Sequence, residues 1–325
     1  MTVYRDADID AGLLHGMTVA VIGYGNQGHA HALNLRDSGV DTLVGARPGG
    51  SAAARATQDG FQPLAVAEAA ARADMLMLSL PDEVLPQVYA DEIAPQLKPA
   101  AAVGFAHGLA VHFGQIVPRA DLDVFLVAPK GAGRWLRHRY EHGSGLAALA
   151  AVHQDASGRA FAKALAYAGA IGCGRAGIVQ TSFKDECVTD LFGEQAVLCG
   201  GLPGLLRAGY ETLVAAGYSP ELAYFECVQE AKLIVDLIAE RGFDAMRQAI
   251  SNTAEYGGYR AQERLIDEPL RRSMQQILRD IEDGRFADRL ASEGRTAVMQ
   301  DLRGRHTDAQ LEQAGRFVRG LDPGH

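Results

Sequence analysis

The sequence predicts an α/β protein in which an N-terminal doubly wound sheet is followed by an all-helical C-terminal domain. Three observations predict it. A glycine cluster joins an apolar run to a helix-like segment near the start of the chain, strand-length apolar runs recur as far as residue 180 and then cease, and helical periodicity fills the rest. The boundary falls near residue 181, giving domains 1–181 and 182–325.

Taken in order, Thr18-Val19-Ala20-Val21-Ile22 reads as a buried strand running into Gly23-Tyr24-Gly25-Asn26-Gln27-Gly28 and then a helix to about Ser38. In such a G-x-G-x-x-G turn the glycines permit a tight bend, close approach of backbone to a pyrophosphate and close helix packing. The helix N-terminus then faces the phosphates. With a strand before and a helix after, the pattern predicts a Rossmann-like dinucleotide site. The next strand, Asp41-Thr42-Leu43-Val44-Gly45-Ala46-Arg47, ends on Arg47 where an NAD site would place an acid for the ribose hydroxyls. Arg47 with Pro48-Gly49-Gly50-Ser51 makes a short loop carrying a cation and a hydroxyl, suited to the 2′-phosphate of NADPH. The competing reading of Arg47 is a surface arginine in a turn.

Apolar runs at 74–80, 101–106, 123–128 and 146–152 continue the sheet, separated by segments long enough for helices or crossovers. Ligands bind such sheets at the strand ends, and three of these turns carry chemistry: Pro81-Asp82-Glu83-Val84-Leu85, Phe105-Ala106-His107-Gly108 and Ala128-Pro129-Lys130-Gly131-Ala132-Gly133-Arg134. Singly, His107 and Lys130 read as structural or exposed residues. At the carboxyl ends of successive strands they face one crevice. An alanine-rich helix at 157–172 and a last strand pattern at Gly177-Ile178-Val179-Gln180 close this half.

The helical half begins with two pairs of acids. Asp190 and Glu194 stand four apart, so their carboxylates share a helix face with Cβ atoms roughly 5 to 6 Å apart, and that face continues through Val197, Leu198 and Gly201. Glu226 and Glu230 repeat the device and run into Leu233 and Leu237. Solvated helix faces are the bland reading of acids at this spacing. Because both faces turn apolar one turn on, the stripes are expected to point inward, and buried carboxylates stay ionised only beside cations. Oxygen-only ligands favour a hard ion, Mg2+ above all when a substrate shares the coordination sphere. Downstream, Ser251-Asn252-Thr253-Ala254-Glu255-Tyr256-Gly257-Gly258 interrupts the helices as either a substrate loop or an ordinary helix cap.

Composition bounds the function. A 325-residue chain that is 48% hydrophobic and 22% charged has length for two globular domains, and a formal charge of −9 argues against nucleic acid or an anionic membrane as partner. No apolar run approaches the roughly 18 residues of a membrane span, and Met1-Thr2-Val3-Tyr4-Arg5-Asp6-Ala7-Asp8 lacks a signal-peptide layout, so the expected location is the cytoplasm. Cys173, Cys187, Cys199 and Cys227 are far apart, with no C-x-x-C and no histidine cluster to suggest zinc, and are expected to be buried free thiols.

These residues together resemble the class I, short-form ketol-acid reductoisomerases, or acetohydroxy acid isomeroreductases, of branched-chain amino acid synthesis. The likeness runs from about residue 1 to at least 300. It is carried by Gly23-Tyr24-Gly25-Asn26-Gln27-Gly28-His29-Ala30-His31, Phe105-Ala106-His107-Gly108, Asp190-Leu191-Phe192-Gly193-Glu194-Gln195, Glu226-Cys227-Val228-Gln229-Glu230 and Ser251-Asn252-Thr253-Ala254-Glu255-Tyr256-Gly257. The resemblance implies that Asp190, Glu194, Glu226 and Glu230 bind two Mg2+ ions, that His107 is catalytic with Lys130 beside the metals, and that Ser251 touches substrate. It implies that Tyr24, Gly25, Asn26, Gln27, Arg47, Asp82, Glu83, Val84, Leu85 and Gly133 contact NADPH. It also implies a knotted helical domain and a homodimer or higher homo-oligomer. The reaction would be alkyl migration in acetolactate or 2-aceto-2-hydroxybutyrate, then reduction to the 2,3-dihydroxy acid, on the way to valine and isoleucine.

The chain departs from the family pattern in three places. Gly50 and Ala52 stand where the family usually has serines, leaving the 2′-phosphate to Arg47 and Ser51. Ala132 and Arg134 replace a proline and a histidine, and Leu109-Ala110-Val111 lacks the usual asparagine. These crevice changes leave open a specialised paralogue acting on a modified acetohydroxy acid. Two further alternatives are a metal-free hydroxyacid or imine reductase, which shares the domain arrangement but not the paired acids, and a non-catalytic dinucleotide sensor.

Overall fold

A computed structural model describes residues 1–293 and 297–321 of the chain. It divides into two compact units, Met1–Thr189 and Asp190–His325, the division falling inside the helix Phe183–Phe192.

The first unit is built on eight strands: β1 (Val3–Tyr4), β2 (Thr18–Ile22), β3 (Asp41–Gly45), β4 (Met75–Leu78), β5 (Ala102–Phe105), β6 (Asp123–Pro129), β7 (Ala148–Gln154) and β8 (Ile178–Gln180). Their order across the sheet is β1-β8-β7-β6-β5-β4-β2-β3. From β3 to β6 every pair is parallel, and β2 lies between β3 and β4, so the chain reverses its direction of travel across the sheet beside β2. That is the switch point at which doubly wound sheets open a crevice for ligands. The sheet is mixed: β7 runs antiparallel to β6, and β1 antiparallel to β8.

Strand burial explains the uniformly apolar runs. All four residues of β4 and of β5 are buried, because helices cover both faces. Val19, Val21, Met75, Met77, Phe125 and Val127 join one core, which includes Tyr167 and Leu35 from helices Ala160–Ala170 and Asn26–Asp37. Their alternating neighbours Ala20, Ile22, Leu76, Leu78, Val103 and Leu126 join the other.

One polar pair is buried in the first core. His31 is fully inaccessible, and its Nδ1 lies 2.8 Å from the Tyr167 hydroxyl. Burial, with a smaller contribution from the charge of His29, lowers the His31 pKa from 6.5 to about 4. Because the folded value lies below the unfolded one, the unfolded chain takes up the proton first as pH falls. The cost is nil above about pH 6.5 and grows to about 3 kcal/mol by pH 4. Denaturant midpoints measured from pH 7 to pH 4 are expected to fall in the wild type, and His31→Gln is expected to lack that component of the slope. An unchanged slope in the variant would contradict the assignment.

The second unit is helical throughout its described residues. Tyr210, Ala223, Tyr224, Ala314 and Val318 form its buried cluster, drawn from helices Gly201–Ala215, Pro220–Tyr224 and Ala309–Arg319. Two features depart from the sequence reading. The helix after Phe192 opens into a wide turn over Gly193–Leu198, where the Cys199 N–H donates to the Glu194 carbonyl at 2.7 Å, five residues back, and Phe225–Gln229 repeats it with the Glu230 N–H on the Phe225 carbonyl at 3.2 Å. A wide turn rotates the residues beyond it out of the expected stripe. Val197, Leu198 and Leu233 are exposed in the chain, as are Glu194, Glu226 and Glu230, while Asp190 and Leu237 are half-buried, so the expected inward-facing stripes are corrected to stripes that are mostly exposed. The thiols are corrected too: Cys173 and Cys187 are buried, Cys227 is partly buried and Cys199 is exposed.

Candidate active site

A cleft of about 430 Å³ opens at the carboxyl ends of β2, β4 and β5. Its walls are the glycine loop Gly23–Gln27, the turn after β4 including Asp82 and Leu85, and Phe105–His107 after β5. Gly28 shapes the loop from behind: a Cβ there would lie 2.1 Å from the Gly23 carbonyl oxygen, so only glycine lets the helix Asn26–Asp37 start this close to β2. Gly133 has the same property. A Cβ on it would lie 1.5 Å from the Asn26 carbonyl oxygen, and the Gln27 side-chain amide donates to the Gly131 carbonyl at 2.9 Å. The loop after β6 therefore buttresses the glycine loop.

The remaining cofactor candidates stand outside the cleft wall. Arg47 is exposed at the end of β3 and opens a turn closed by the Gly50 N–H on its carbonyl at 3.1 Å, with Gly49 at φ +70°. Ser51 is exposed and starts the helix Ser51–Gln58, while Glu83 and Val84 lie in the turn leading to Leu85. Sequence reasoning missed Arg55. One turn into that helix it lines the cleft with Ala52, and its guanidinium donates to the Tyr24 carbonyl at 2.8 Å. Its spacing of four from Ser51 was the available signal.

At the far end of the cleft, three distant segments converge on one carboxylate that the sequence reading also missed. Glu186 is 1% exposed. It lies in the first turn of the helix Phe183–Phe192, where the Ser182 hydroxyl accepts from the Asp185 N–H at 3.0 Å and negative charge suits the helix dipole. Its Oε2 accepts from the Gly108 N–H at 2.8 Å and lies 3.2 Å from His107 Nδ1, and Lys130 Nζ donates to its Oε1 at 3.3 Å. Burial alone would raise the Glu186 pKa, but the hydrogen bond and charge of His107, the charge of Lys130 and the Gly108 N–H outweigh it and hold the carboxyl below its usual range. Burial likewise opposes protonation of His107. The hydrogen bonds with Cys187 and Glu186 and the charges of Glu186 and Asp82 overcome it, raising the imidazole pKa to about 11. Asp190 follows Glu186 one turn along the same helix. Ser251 caps the helix Asn252–Leu265, its hydroxyl accepting from the Ala254 N–H at 3.1 Å.

Two family descriptions cover nearly the whole chain: acetohydroxy acid isomeroreductase, NADPH-binding domain, matches residues 13–177, and ketol-acid reductoisomerase, C-terminal domain, matches 183–323. The chain belongs to the ketol-acid reductoisomerase family. An NADH-preferring ketol-acid reductoisomerase from an uncultured archean is 42% identical, with 99% of each chain covered and a TM-score of 0.94. More distant likenesses are of fold alone. A semialdehyde dehydrogenase NAD-binding protein from Cupriavidus necator is 20% identical over 82% of this chain and 99% of its own at TM-score 0.62. A 1-pyrroline-5-carboxylate reductase from Streptococcus pyogenes is 14% identical over 82% and 98% at TM-score 0.54. As a ketol-acid reductoisomerase, the protein is an NAD(P)-dependent oxidoreductase with isomerase activity, and its Rossmann-like unit is the nucleotide-binding one. Among the described residues no helix is long and apolar enough to cross a membrane.

Proposed function

We propose that this ketol-acid reductoisomerase converts acetolactate and 2-aceto-2-hydroxybutyrate to 2,3-dihydroxy acids with two Mg2+ ions and NADPH, using residues 1–181 for the cofactor and 182–325 for metal and substrate. The observation that carries the reading is the convergence of His107 and Lys130 on the buried carboxylate of Glu186 at the end of the nucleotide cleft. Asp190, Glu194, Glu226 and Glu230 would hold the Mg2+, since carboxylate oxygens are the donors that a hard divalent ion takes. Bound there, Mg2+ supplies the polarisation of the 3-keto oxygen and the acidity of the 2-hydroxyl that alkyl migration needs, and NADPH supplies the hydride.

The chain's own residues then position and protonate. The hydrogen bonds of Cys187 and Glu186 and the charges of Glu186 and Asp82 favour a protonated His107, which suits charge stabilisation and proton donation. Lys130 Nζ, tethered to the Glu186 carboxylate, adds a second cation beside His107. Ser251 contacts substrate in this reading. Exposed Val197, Leu198, Leu233 and Phe243 favour a homo-oligomer in which a second copy covers the helical unit. The deciding assay follows NADPH oxidation with acetolactate, with and without Mg2+, beside a panel of simple 2-keto acids. Mg2+-dependent turnover of acetolactate alone is expected. Metal-independent reduction of the simple keto acids would overturn the reading.

NADPH preference rests on Arg47 and Ser51, since Gly50 and Ala52 offer no hydroxyl. Charge-assisted contacts to a phosphate are worth enough that Arg47→Asp should erase a preference of about tenfold or more, weakening NADPH and sparing NADH. Dissociation constants for both cofactors, by fluorescence titration, check this. A wild type that already favours NADH, as the 42% identical relative does, would show that the missing hydroxyls decide the preference.

A further inference from the structure

We propose that His138 and His142 form a binding site for a late divalent transition-metal ion, Cu2+ or Ni2+, on the exposed end of the helix Gly133–Glu141. The two residues are four apart, both exposed, and their rings lie with centroids 4.2 Å apart at 45°. Metal–imidazole bonds are about 2.0–2.1 Å, so two rings on one ion stand with centroids about 4.5 Å apart at a right angle and about 5 Å apart at a tetrahedral angle. The observed separation lies nearer the right angle, which suits the tetragonal geometry of Cu2+ and Ni2+ better than the tetrahedral preference of Zn2+.

The tautomer is set as a ligand requires. His142 Nδ1 lies 2.7 Å from the His138 carbonyl oxygen, an acceptor only, so the proton sits on Nδ1 and the lone pair on Nε2. An N–H donated to a backbone carbonyl is the usual support of a metal-bound histidine, because it fixes the ring and raises its basicity. His142 is also the C-cap of the helix, where unpaired carbonyls favour a cation. Two of the charged neighbours are engaged elsewhere, and Arg139 is exposed beside His138. The Glu141 carboxylate holds Arg137 at 2.9 Å, and Arg134, one turn before His138, lies over the Trp135 ring at 5.4 Å. The donor set is thus two nitrogens with the other coordination positions open to solvent.

The site carries its own reporter. Trp135 is the only tryptophan in the chain, and its ring centroid is 5.6 Å from that of His138. Bound Cu2+ should quench it. The experiment titrates Cu2+ into tag-free protein at neutral pH with excess Mg2+, following tryptophan fluorescence and, at the end point, the nitrogen splitting in the Cu2+ paramagnetic resonance spectrum. Saturable quenching near one ion per chain with a two-nitrogen spectrum is expected. His138→Gln and His142→Gln should each weaken it by about tenfold or more. Asp190→Asn, which alters the carboxylates proposed for Mg2+, should leave it unchanged. Quenching that survives both histidine changes, or that disappears in Asp190→Asn, would overturn the proposal.

Discussion

Asp190→Asn is expected to abolish Mg2+-dependent turnover of acetolactate, by more than about a hundredfold, while NADPH binding persists. Asparagine keeps the size of the side chain and its fit to the helix Phe183–Phe192, and removes one negative charge from a site that must hold divalent cations. The nucleotide cleft should not feel the change, because Asp190 is not among the residues that line it. Two measurements separate the functions once folding is checked: NADPH titrated into the variant, and acetolactate turnover followed across a wide range of Mg2+. Turnover near the wild-type rate would mean that the acids are a structural helix face, and metal-assisted migration would be abandoned.

What the sequence made legible is what backbone geometry demands. The glycine loop could be read because no side chain fits at Gly28, and the strands because residues buried on two faces leave continuous apolar runs. Pairing direction was not legible. β7 runs antiparallel because the chain turns at Lys130 and returns with Ala148 beside Pro129, a consequence of where one helix ends rather than of strand composition. The acids four apart were legible as pairs, but their burial was not, since hydrogen bonds spanning five residues after Glu194 and Phe225 shift the downstream register. Glu186 was hidden differently. In sequence it belongs to the charged run Lys184-Asp185-Glu186 at a helix start, and its partners lie 56 and 79 residues away. The retrievable signal was its place four before Asp190, extending the acidic stripe by one turn.

That hidden residue carries the second large effect. Glu186→Ala is expected to cost about 3 kcal/mol or more of stability, because it removes a carboxylate that is 1% exposed and bound to His107 and Lys130, and strands the buried Gly108 N–H that donates to it. Activity should vanish with it, but that variant alone cannot separate folding from chemistry. Glu186→Gln does so. Glutamine fills the same volume and still accepts from the Gly108 N–H, so most of the stability should return. It lacks the charge that favours protonated His107 and tethers Lys130, so kcat should stay at least about tenfold down, with the cofactor dissociation constant little changed. Melting temperature, kcat and NADPH affinity measured on both variants decide the matter. A Gln variant that recovers stability and full kcat together would reduce Glu186 to a buried strut, and the protonation assigned to His107 would fall with it.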